Sequence, residues 1–123
     1  MSSHRARLAA DLQPLLPGWR IVPGLDAPDR IAKPTIVLEQ AQIAPSERAR
    51  GLREFVVNVH VITPKAGITD AAEDDVDALV LLALDALEKV RYLSVGTATK
   101  KVYQDSNLSY EIETTTLNRK KES

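Results

Sequence analysis

Histidines and carboxylates are the groups in this chain able to move protons or hold a metal. The 123 residues include two histidines and 17 acidic residues. His60 stands in a valine-rich run, whereas His4 sits in a polar terminus with nothing nearby in sequence to fix it. A helix-borne metal site needs ligands one turn apart, and no acidic residue stands at helical spacing beside either imidazole. The run Glu73-Asp74-Asp75-Val76-Asp77 has charge enough for calcium, but lacks the alternating ligands, central glycine and terminal glutamate of an EF-hand loop. Attraction to the positive end of a helix explains the run without metal. Glu111 and Glu113 alternate onto one strand face and read as a solvated edge.

Other chemistries are excluded more simply. Without cysteine there is no disulfide, thiolate metal site or cysteine nucleophile. The glycines Gly18, Gly24, Gly51, Gly67 and Gly96 are isolated, so no phosphate-cradling loop forms, and no serine lies in a Gly-x-Ser-x-Gly elbow. The expectation is therefore no catalytic residue, no cofactor and no metal. The opposing reading, a small enzyme or ligand-binding domain centred on His60, requires a deep pocket of convergent polar groups and a perturbed titration there.

Sixteen basic residues against 17 acidic ones give a formal net charge of −1, unlike a protein that coats DNA. Lys100, Lys101 and the tail Arg119-Lys120-Lys121 offer local phosphate contacts, but aromatic residues are only 4% of the chain, so stacking platforms for single strands are scarce. The N-terminus lacks the apolar stretch of a secretory signal and the longest apolar run, residues 78–84, is too short to cross a bilayer. A soluble cytoplasmic protein with no membrane contact is expected.

The elements that would position these residues follow from periodicity. Leu8, Leu12, Leu15 and Leu16 share one side of a helix capped by Ser2 or Ser3 and ended by Pro14 and Pro17-Gly18. Residues 19–22 form a short strand, and residues 25–33 a loop. Residues 35–43 and 52–63 form two strands joined by a polar loop over 44–51, the second ended by Pro64. Phe55, Val57, Val59 and Val61 face one way and Val56, Asn58, His60 and Ile62 the other. Asp70, with Glu73 in capping-box spacing, opens a long helix whose stripe is Val76, Leu79, Val80, Ala83, Leu87 and Val90. Leu81, Leu82 and Leu84 widen that stripe beyond what one sheet face needs, which points to a partner. Residues 96–104 and 108–117 form the last two strands, joined by a turn at Asp105-Ser106-Asn107. The sum is one α+β domain over residues 1–117 with a polar tail at 118–123. Its order is α-β-β-β-α-β-β, a mainly antiparallel sheet of four to five strands against one long and one short helix.

Taken in order, these segments resemble the tail terminator (tail completion) proteins of long-tailed bacteriophages, particularly those of actinobacteria. The matching stretches are RARLAADLQPLLPGWRIVP, the strand at Lys33 to Val37, the valine-rich strand ending Ile62-Thr63-Pro64, and the helix DAAEDDVDALVLLALDALEKV. The resemblance implies a mixed α/β protomer of a closed hexameric ring in the virion, seated on the last ring of the tail tube. Such a ring stops tube polymerisation and presents the surface that joins tail to head. The implied partners are other copies of the chain, the tail tube protein and head–tail connector or neck proteins; DNA passes through without specific binding. The ring would assemble in the host cytoplasm. A head–tail connector or head-closure protein of the same virion is the nearest alternative. The interface residues chosen on this expectation are Arg48, Arg50 and Arg53 at a protomer or tube contact, with Asp74, Asp75 and Asp77 exposed on the ring.

Overall fold

Alternation along one strand decides which side of the sheet is buried. In the computed structural model, which describes residues 3–24, 30–45 and 52–119, with side chains through 116, β3 (Leu52–Ala66) buries Val57, Val59 and Val61 completely. Val56, Asn58 and His60 project to the opposite side and are half-buried. Antiparallel to β3 run β2 (Thr35–Pro45) on one flank and β5 (Asn107–Arg119) on the other. β4 (Leu93–Tyr103) adds antiparallel to β5, and β1 (Arg20–Val22) closes the far side, giving a five-stranded sheet in the order β1-β2-β3-β5-β4.

The element order is the expected one, but β1 pairs parallel to β2, so the sheet is mixed. Ile31, shortly before β2, is buried with Val22, Val37 and Ile62 on the side away from the helices.

Both helices cover the other side. α2 (Asp70–Glu88) buries Val76, Leu79, Val80, Ala83 and Leu87 against the sheet, with Val90 just beyond its end. α1 (His4–Leu12) adds Leu8 and Leu12, and the main core joins them to Leu16, Trp19, Ile36, Leu38 and Ile112. Ser3 caps α1 by accepting from the Ala6 N–H at 3.0 Å. The cap of α2 is Thr69 and not Asp70: its Oγ1 accepts from the Ala72 N–H at 3.1 Å. Asp70 and Glu73 instead occupy the first turn, where the helix dipole favours their charge.

Five further expectations are corrected. His4 is not loose: it opens α1 and lies edge-on to Phe55 and Tyr92, with ring centroids 5.2 and 6.1 Å away. Burial, with the nearby Arg7 charge second, holds its pKa below the ordinary imidazole range. Leu15 is exposed, because the chain tightens into a 3₁₀ turn at Gln13–Leu15 and rotates it off the apolar side. Pro64 does not end β3. The β3–β5 pairing is interrupted between Ile62 and Ala66, where a proline withdraws no ladder bond, and Asn107 Nδ2 donates to the Thr63 carbonyl at 2.8 Å. β4 begins before Gly96, which sits at an irregularity between Val95 and Ala98 where a Cβ would lie 3.0 Å from the Glu113 carbonyl. Finally, the β4–β5 turn is centred on Gln104 and Asp105, both at positive φ (50° and 61°), while Asn107 is buried and starts β5.

The capping assignment is directly testable. Thr69→Ala is expected to destabilise the protein by about 1 kcal/mol in urea unfolding, and Asp70→Ala by about 0.5 kcal/mol, a dipole effect alone. The reverse ranking would return the cap to Asp70.

Candidate functional site

The side of the sheet away from α1 and α2 carries a cluster of polar groups. Register sets His60 of β3 directly opposite Glu111 of β5 and, across the other flank, opposite Val37, one diagonal step from Glu39 of β2. His60 Nε2 lies 2.9 Å from Glu39 Oε1, and Nδ1 lies 3.9 Å from Glu111 Oε2. Lys101 Nζ stands 3.6 Å from the other Glu111 oxygen. The His60 side chain is 17% exposed and those of Glu39 and Glu111 39% and 26%, so the group is partly shielded but open to small solutes. Glu111 therefore does not lie on a solvated edge: β5 is interior, between β3 and β4. Glu39 stands 21 residues from His60, far outside the one-turn spacing of a helical ligand pair. Strand alternation places it on the Val37 face, but the register that brings it to His60 is not written in either strand alone.

The expected interface residues are not brought together. Arg53 is exposed near the start of β3, paired with Pro45, while Arg48 and Arg50 lie outside the described residues. Asp74 is exposed. Asp75 accepts a 2.6 Å hydrogen bond from the buried Thr63 hydroxyl. Asp77 accepts from the Tyr110 hydroxyl at 2.9 Å and pairs with Lys100 Nζ at 3.0 Å, and Lys100 also holds Glu73 at 2.9 Å. These bonds tie α2 to β3, β4 and β5. Hydrogen bonds from Lys100 and then Tyr110 hold Asp77 below the usual carboxylate range, while Glu73 and Asp77 push Lys100 up. Lys100 and Lys101 are thus engaged by carboxylates and are not displayed as bare phosphate contacts.

The surplus leucines of α2 separate by role. Leu84 packs on the core; Leu81 and Leu82 point outward, 63% and 53% exposed. Leu82 joins Leu15, Pro17, Trp19, Ala86 and Lys89 around an open depression of about 330 Å³. A second open depression of about 410 Å³ lies at the other end of α2, lined by Ile68, Thr69, Glu73, Lys100 and Val102. Ile68 is 72% exposed. At 1.5 Å rise per residue, Leu82 and Asp70 are separated by about 18 Å along the helix. Neither depression is lined by His60. Among the described residues, β2 has no partner on its β1 side beyond Val37, and the outer edge of β4 is unpaired.

The Lys100 network predicts a pH-dependent contribution. A carboxyl held below its ordinary range stabilises the fold above that range, and the contribution is lost as the pH falls through the lowered value. Asp77→Asn is therefore expected to lower the melting temperature at neutral pH, with the gap to wild type narrowing on acidification through the carboxylate range. A gap that is constant with pH would mean that Asp77 acts by packing alone.

No protein-family model matches this chain, and the search of curated proteins finds no match either.

Proposed function

We propose that this chain is a structural virion protein of a long-tailed bacteriophage. In this reading it forms a closed ring that caps the tail tube, stops its polymerisation and offers the surface to which the head is joined. The observation that supports the reading is the pair of unlike surface depressions at opposite ends of α2, one largely apolar around Leu82 and Leu15, the other mixed, with exposed Ile68 and Val102 beside Asp70, Glu73, Lys100 and Lys101. A closed ring uses heterologous contacts, in which one patch of each protomer meets a different patch of the next. Exposed leucines on a helix whose opposite stripe already fills the core are consistent with cover by another chain. The open edges of β2 and β4 supply further pairing capacity.

The charge distribution suits a channel that DNA traverses without being held. The net charge is −1, and Lys100 and Lys101 are paired with acids. The partners on this reading are other copies of the chain, the tail tube protein and the neck proteins. A head–tail connector or head-closure role uses the same kind of surface. Particles lacking the protein separate the roles: loss of a terminator gives overlong tails, and loss of a connector gives finished tails lying free beside heads.

The patch itself is tested by Leu82→Glu. A charge on an exposed helix position is expected to change unfolding free energy by only about 0.5 kcal/mol, yet to abolish assembly in analytical ultracentrifugation with tube protein present. Assembly indistinguishable from wild type would remove the Leu82 patch from the interface.

A further inference from the structure

The geometry points to a site for one divalent first-row transition metal ion, of the zinc or cobalt type, held by Glu39, His60 and Glu111 on the face away from α1 and α2. This inference is independent of the ring reading. The three residues come from adjacent strands, and one ligand atom from each can be chosen so that all lie within 4.8 Å of one another. A tetrahedral ion with bonds near 2.1 Å sets its ligands about 3.4 Å apart, so modest rotation of the two carboxylates closes the set. The imidazole cannot rotate far, being only 17% exposed within the sheet surface.

Two carboxylates approach one imidazole, which concentrates negative charge where a cation would be held. Without an ion, His60 Nε2 and Glu39 Oε1 lie 2.9 Å apart, the distance of a hydrogen bond in which the ionised carboxylate accepts. Glu111 Oε2 lies 3.9 Å from Nδ1, too long for a hydrogen bond, so this carboxylate oxygen is not committed to the imidazole. An ion that takes the place of the proton between Nε2 and Glu39 is bound by both, and the Glu111 carboxylate turns in as the third ligand. Lys101 approaches Glu111 through Oε1, the oxygen facing away from the imidazole contact, so it leaves Oε2 available. One imidazole with two carboxylates suits zinc, cobalt or manganese; calcium and magnesium prefer all-oxygen shells. With three protein ligands, the remaining coordination positions stay open to water or to a group from another molecule.

The test is titration of the untagged, metal-free full chain with Zn²⁺ by calorimetry and with Co²⁺ by visible absorption. One ion per chain is expected, with cobalt d–d bands reporting an imidazole–carboxylate site and no comparable response to Ca²⁺ or Mg²⁺. His60→Asn, Glu39→Gln and Glu111→Gln should each weaken binding by at least about ten-fold, while His4→Asn leaves it unchanged. Metal-free melting curves of the variants confirm that each is folded, and Glu111→Gln, which keeps the shape of the side chain, covers the case in which His60→Asn unfolds. Absence of binding, or binding that survives these substitutions in folded protein, would overturn the assignment.

Discussion

The sheet is covered by α1 and α2 on one face, with no helix among the described residues on the other, and from this constraint the other features follow. β3 lies between β2 and β5, and its odd-numbered residues Val57, Val59 and Val61 are fully buried under α2 and α1. Each such side chain contributes about 1.5–3 kcal/mol on burial. A one-residue slip of β3 would turn these valines outward and drive Asn58 and His60 into the core, so the register is strongly fixed. With the register fixed, His60 must meet Glu111 and Glu39, and the helix side must be apolar throughout its centre. The polar triad and the core are two faces of one alternation.

The same constraint divides the surface. α2 is seated by its buried stripe and pinned by Asp75 to Thr63 and by Asp77 to Tyr110 and Lys100, which settles which leucines turn inward and which outward. Leu81 and Leu82 are left uncovered because the sheet has already taken the stripe it can bury. The acidic N-terminal half of the helix, which sequence alone offers as a display of charge, is in part an internal tie. On the assembly reading, contacts between chains would fall on the helices and the open strand edges, leaving the triad on the face away from α1 and α2 accessible to a small ion.

Much of this was legible in the sequence. The valine alternation gave β3 and its buried face, and the 3.6-residue stripe gave α2 and its apolar surplus. What escaped was set by contacts distant in sequence or by local conformations with more than one solution. Pro64 ends a strand only where the strand must keep its ladder, and here a partner strand tolerates a gap. Leu15 fits a helical stripe, but Pro14 sits in a 3₁₀ turn that moves it off. His4 acquires an environment only when Tyr92, far along the chain, folds back over α1, with Arg7 4.2 Å above its ring and Asp11 accepting from its hydroxyl. The Glu39–His60–Glu111 cluster spans three strands, and no single strand carries the register that assembles it.

Native mass spectrometry of the purified chain, alone and mixed with tail tube protein, tests the central claim of self-assembly most directly. A closed ring of identical subunits, formed alone or upon addition of the tube, is the expected result. A chain that stays monomeric in both conditions would contradict it.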